Sequence, residues 1–99
     1  MITIARRNTP RAVYIGRPTP LGNPFVMNDE SERDDVCDAY ERWFNEQLAS
    51  NASHAPFTLA LRHLETLAAH GDLILGCYCA PKRCHGDTIK AYLERKLNE

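Results

Sequence analysis

Three cysteines and a histidine fall within nine residues, Cys77-Tyr78-Cys79-Ala80-Pro81-Lys82-Arg83-Cys84-His85, and Gly86 and Asp87 follow directly. Thiols and an imidazole this close support two chemistries. They can ligate a soft metal, or they can supply a nucleophilic thiolate with an acid–base partner. Spacing argues against the metal. Structural zinc favours cysteines separated by a short loop, whereas Cys77 and Cys79 alternate along a strand candidate. Their sulfurs then leave one face about 6.5–7 Å apart, while two sulfurs on one tetrahedral zinc sit about 3.7–3.8 Å apart. Cys84 and His85, as neighbours in a helix, would diverge as well. The expectation is no metal and no cofactor.

The thiol reading centres on Cys84, which stands where the last helix should begin, behind Lys82 and Arg83. Helix N-terminal N–H groups and nearby cations stabilise a thiolate, and the same N–H groups take an anion. Gly86 lets an anion approach the backbone, His85 can act as an acid or a base, and Asp87 sits at the positive end of the helix. Cys84, His85 and Asp87 are therefore the candidate catalytic residues. Lys82, Arg83 and Gly86 are candidate ligand contacts. Cysteine-dependent phosphatases and sulfur transferases share this strand–loop–Cys–helix layout, but they carry an Arg several residues after the Cys, and none occurs in His85-Gly86-Asp87-Thr88-Ile89-Lys90. The competing reading makes Cys77 and Cys79 small core residues, Cys37 inert, and the segment a capped turn.

A second unusual stretch is Tyr14-Ile15-Gly16-Arg17-Pro18-Thr19-Pro20-Leu21-Gly22-Asn23-Pro24-Phe25, with three prolines and two glycines. Its prolines make an ordered, extended loop. Gly16 and Gly22 permit close approach of a ligand, Arg17 offers a forked anion donor, and Asn23 can orient a ligand by hydrogen bonding. Against this stands a loop whose prolines and Phe25 only plug the core. Tyr14, Trp43 and Tyr78 read as core, and His54, His63 and His70 as solvated.

Elements must bring these stretches together. Residues 2–5 and 12–16 read as strands, joined by a link that suits an antiparallel hairpin. From Asp34, a helical pattern buries Val36, Tyr40, Trp43, Phe44, Gln47 and Leu48. Pro56 opens a second helix that buries Leu59, Leu61, Leu64, Leu67 and Ala68, with Gly71 as its C′ glycine. Residues 72–79 are apolar on both faces, as in a strand covered on both sides. A last helix from about residue 85 faces inward through Ile89, Tyr92, Leu93 and Leu97. If the 12–16 and 72–79 strands are parallel neighbours, the two unusual stretches meet at their C-terminal ends, where ligands bind in open α/β sheets. The expected fold is one α/β domain, a three-stranded, mostly parallel sheet flanked by three helices.

Composition sets limits. With 99 residues, 43% apolar and 25% charged, the chain suits one small globular domain. A net charge of −1 argues against bulk nucleic-acid or membrane binding. MITIARRNTP lacks the apolar core of a secretion signal, so the reading is a cytoplasmic chain with reduced thiols.

The two motifs, in this order, resemble the family called Domain of Unknown Function 4326, small proteins of phages and bacteria. The resemblance covers nearly the whole chain. It rests on Tyr14, Ile15, Gly16, Arg17, Pro18, Gly22, Asn23, Pro24 and Phe25, and on Cys77, Cys79, Pro81, Cys84, His85, Gly86 and Asp87. Tyr78 stands where members often carry Trp. The resemblance implies a site but no reaction. The functional expectation is a pocket for a small anionic or nucleotide-like ligand, with turnover left open. The alternative is a non-catalytic phage or bacterial accessory module that binds a host protein.

Overall fold

The structure, a computed structural model, describes residues 1–50 and 55–99. His54 lies outside the described residues. The elements run β1 Ile2–Arg6, β2 Val13–Tyr14, a 3-10 turn Glu30–Glu32, α1 Arg33–Ser50, α2 Pro56–His70, β3 Leu73–Cys77 and α3 Gly86–Leu97. The sheet has the order β1-β3-β2, and both pairings are parallel. The expected α/β domain with three strands and three helices is what forms.

The hairpin between the first two strands does not form. β3, the most apolar strand, lies between them and takes the hydrogen bonds of both. The chain from β1 to β2 makes two consecutive turns, with Thr9 N–H donating to the Arg6 carbonyl at 2.9 Å and Ala12 N–H to the Thr9 carbonyl at 3.0 Å. It then crosses the face of β3 at Gly76. A Cβ there would lie 3.2 Å from both Arg7 Cα and Ala12 Cβ. Glycine lets the connector pass this close, so parallel strands on either side of β3 are joined without a helix.

β3 is covered by helices on one face only. Leu73, Leu75 and Cys77 are buried, Ile74 on the opposite face is half-buried, and Tyr78 just beyond the strand is 74% exposed. The core is completed by Cys37, Tyr40 and Phe44 of α1, Phe57, Leu61, Leu64 and Ala68 of α2, and Ile89 and Leu93 of α3. Tyr40, Trp43, Phe44, Phe57 and Tyr92 form a chain of tilted and edge-on ring contacts between the helices.

Several expected faces shift. Leu59, Leu48 and Leu97 are exposed, and Val36, Trp43 and Tyr92 are half-buried. On α2 the buried row 57-61-64-68 follows the helical period, which carries Leu59 to the solvent side. Pro56 occupies the first turn as expected. Gly71 is extended, with φ 166°, and so it is not a left-handed C′ residue. It leads α2 directly into β3. Among the described residues, no helix is long and apolar enough to cross a membrane.

Candidate functional site

Because β2 and β3 are parallel, with Tyr14 paired to Gly76, the loops that leave them start side by side. Between them lies a cleft of about 410 Å³. Gly16, Arg17, Asn23, Arg83, Cys84 and His85 line it, together with Cys77 and Cys79. The topology thus joins the two unusual stretches as the sequence implied. Gly22, Lys82, Gly86 and Asp87 do not line this cleft.

The loop after β2 is built by its backbone. Thr19 N–H donates to the Gly16 carbonyl and Gly22 N–H to the Thr19 carbonyl, both at 2.9 Å. The Tyr14 hydroxyl donates to the Arg17 carbonyl at 2.7 Å. This lays the Tyr14 ring over Gly16, where a side chain would collide with it. Gly22 returns against Arg17 so closely that a Cβ would stand 2.8 Å from the Arg17 nitrogen and 2.9 Å from its Cα. Both glycines shape the loop through close contact. The buried Tyr40 hydroxyl on α1 donates to the Leu21 carbonyl at 2.7 Å and pins the far side. Asn23 Oδ1 accepts from the Phe25 N–H at 2.9 Å. The Arg17–Pro18 and Ala80–Pro81 bonds, one in each loop, are both cis.

The loop after β3 is held by charge. Arg33, the first residue of α1, forks onto Glu30 through Nε and Nη2, both at 2.8 Å, and its Nη1 donates to the Arg83 carbonyl at 2.8 Å. Arg83 reaches back to Asp34 at 2.9 Å and Asp38 at 2.8 Å, and Lys82 pairs with Glu30 at 3.2 Å. Lys82 and Arg83, expected to hold an anion, are thus engaged by carboxylates of α1 and of the turn before it. One backbone donor just before the helix is taken too, because Asp87 Oδ2 accepts from the Cys84 N–H at 3.2 Å. That carboxylate satisfies a donor the sequence reading gave to a ligand. Arg17 makes no ion pair or side-chain hydrogen bond among the described residues.

At the cleft wall, Cys77 Sγ, Cys84 Sγ and a ring nitrogen of His85 all lie within 4.8 Å of one another. Cys77 Sγ stands 3.9 Å from His85 Nδ1. His85 Nε2 lies 2.9 Å from the Ile15 carbonyl oxygen. A carbonyl can only accept, so Nε2 carries the proton and Nδ1 turns its lone pair to the thiols. The ring of Tyr40 meets the His85 ring edge-on, with centroids 5.0 Å apart. Hydrogen bonding from Cys84 holds the Cys77 thiol well below its ordinary range. The same contact, and burial, push the Cys84 thiol up. The pair therefore releases one proton readily and holds the second.

From sequence, Cys77 is rejected as a metal ligand on its spacing from Cys79 and left as a small core residue. Its sulfur is buried, yet it faces His85 because the last residue of β3 shares a face with Leu75 and lies beneath the start of α3. The expected divergence of Cys84 and His85 does not occur, because α3 begins only at Gly86 and both residues precede its regular turns. Arg33 and Tyr40 also went unread. The signal was present in the acidic run at 29–38, which needs cations opposite it, and in a tyrosine on a helix face otherwise apolar.

A family model described as "Domain of unknown function (DUF4326)" matches residues 3–95. The chain belongs to this family. It is also similar to the "Uncharacterized 12.4 kDa protein in nrdA-td intergenic region" of Enterobacteria phage T4, with 31% identity over 87 residues, 88% of this chain and 71% of the phage protein. No solved structure matches. The DUF4326 match takes in both loops, so the cleft lies wholly inside the matched span.

Proposed function

We propose that this DUF4326 chain binds a small anionic, nucleotide-like ligand in the cleft between its two loops. The observation that carries this reading is the state of Arg17. Three arginines line the cleft, but Arg33 and Arg83 are tied to Glu30, Asp34 and Asp38, and only Arg17 has no ion pair among the described residues. A guanidinium with no carboxylate beside it, at the mouth of a concave site, suits phosphate or carboxylate. Apolar groups supply the rest of the wall, with Met27 and Val36 inside and the exposed rings of Phe25 and Tyr78 offering surface for a planar base. A volume of about 410 Å³ falls within the range of small-molecule sites. This reading gives the anion contact to Arg17, while the Cys84 N–H ahead of α3 already donates to Asp87. Turnover by a Cys84 thiolate gains no support, since burial and the Cys77 contact both favour its protonated form.

Calorimetric titration of the reduced protein with nucleoside mono-, di- and triphosphates and with inorganic phosphate tests the reading. The expected result is saturable binding of one phosphate-bearing ligand per chain. Arg17→Ala should weaken it by about 1.5–3 kcal/mol, the value of a charged hydrogen bond, without loss of fold. Absence of binding across the series, or equal affinity in Arg17→Ala, overturns it. Such a failure together with tight association with a host protein would favour the accessory-module alternative.

A further inference from the structure

We infer that Cys77, Cys84 and His85 form a zinc site whose fourth coordination position opens into the cleft. The inference does not depend on the anion reading, because it rests on different atoms. Thiolate and imidazole are the ligands zinc prefers, while carboxylate and carbonyl oxygens suit magnesium and calcium. The three donor atoms already lie within 4.8 Å of one another. Tetrahedral zinc places two sulfurs about 3.8 Å apart, so small side-chain rotations close the set. Cys77 Sγ and His85 Nδ1, at 3.9 Å, are nearly there.

The imidazole is also oriented as a ligand should be. A metal-binding histidine typically donates its other N–H to a carbonyl or carboxylate, which fixes tautomer and ring direction. The Ile15 carbonyl does this to Nε2 at 2.9 Å, and the Tyr40 ring abuts the imidazole. The three ligands come from the end of β3, the loop and the residue before α3, so the fold assembles the set without a short-spaced cysteine pair. No fourth His, Cys, Asp or Glu joins the cluster among the described residues. Cys79 lies on the cleft wall, where the Arg33 guanidinium faces it. All three residues line the cleft, which is the side to which the inference assigns the fourth position. An open position is the mark of a zinc that meets water or substrate, in contrast to the closed four-ligand structural site. On binding, both sulfurs coordinate as thiolates and their protons pass to the buffer, so affinity falls as pH is lowered.

The test uses the whole chain purified in a phosphine reductant without chelator. Elemental analysis, then zinc titration against a chromophoric chelator, should give one zinc per chain. Cobalt(II) in place of zinc should show thiolate-to-cobalt charge-transfer bands and the strong visible bands of a tetrahedral ion. Cys79→Ala should retain both results, and His85→Gln should lose at least about tenfold in zinc affinity. Substoichiometric zinc after incubation with excess metal in reducing buffer overturns the inference. So does a cobalt spectrum without thiolate charge transfer, or one abolished by Cys79→Ala. The wild-type stoichiometry and spectrum decide the matter even if a ligand variant fails to fold. Neither is altered by a failure of nucleotide binding.

Discussion

The loops after β2 and β3 face each other across one cleft, but they are held in opposite ways. In the first, neutral contacts do the holding. Two backbone turns, the Tyr14 and Tyr40 hydroxyls and the tight return of Gly22 onto Arg17 fix the chain, and its one cation is left without a partner. In the second, charges do it. Lys82 and Arg83 are matched to Glu30, Asp34 and Asp38, and Arg33 ties the loop backbone to α1. A basic residue near a cleft is therefore a ligand contact only if the fold does not need its charge. By that criterion the first loop carries the cation left available to a ligand, and the second uses its cations to hold the chain beside the thiols and imidazole.

If the first loop depends on backbone contact, its most sensitive point is Gly22. Gly22→Ala would drive a Cβ into Arg17 N and Cα, rigid main-chain atoms that cannot swing aside. The expected loss is about 1–3 kcal/mol, the usual cost of overpacking, with a matching fall in anion affinity as Arg17 moves. Gly71→Ala is the control, since a Cβ there meets nothing within 4 Å. It should be neutral or stabilising by up to about 1 kcal/mol. Urea denaturation compares the two. Equal midpoints for Gly22→Ala and wild type would show that the close return is not what holds the loop.

Tyr40→Phe comes next in size. The hydroxyl is buried and its bond to the Leu21 carbonyl spans 2.7 Å. Removing it leaves that carbonyl without its side-chain donor, at a cost of about 1–2 kcal/mol. Because burial pushes the Tyr40 hydroxyl further up from its ordinary value, it stays neutral from acid to mild alkali. The gap between Tyr40→Phe and wild type should therefore be flat from about pH 7 down to about pH 3. A gap that closes in acid would mean that charge also holds the first loop.

Much of this arrangement was legible in the sequence. Apolar periodicity located the helices, proline and glycine located the loops, and the parallel pairing of β2 with β3 joined the two motifs. The hairpin expectation failed because strand pairing is a tertiary choice. A six-residue connector looks like a hairpin until Gly76, far along the chain, offers a face over which it can cross. The roles of Lys82 and Arg83 failed for a related reason. A cation next to a candidate site reads as free from local sequence, and only the docking of α1 brings Asp34 and Asp38 opposite Arg83. Cys77 was hidden because burial alone makes a cysteine look like a small hydrophobe, and what sets it apart is the direction of His85 Nδ1. Residue types pointed to the two stretches that the fold brings together, while the partners of each side chain there depended on long-range contacts.

The smallest expected effect probes the charged loop through Glu30. Its carboxyl is lowered from 4.5 to about 2, chiefly by the Arg33 guanidinium and then by Lys82. A folded value below the unfolded one means that ionised Glu30 favours the folded state. That contribution is fully present above about pH 4.5 and is lost as pH falls through that window toward 2. Glu30→Gln has no such titration, so its stability gap to wild type should narrow as pH drops across this range. Glu30 and Lys82 are exposed, although Arg33 is half-buried, so the gap should be small and should shrink further in high salt. Acid and salt denaturation curves of Glu30→Gln, set beside those of Tyr40→Phe, make the contrast direct. The charged loop should respond to both variables and the neutral loop to neither. A Glu30→Gln gap that ignores pH and salt would mean that Arg33 and Lys82 are held by packing of their stems, and the difference between the two loops would be one of shape alone.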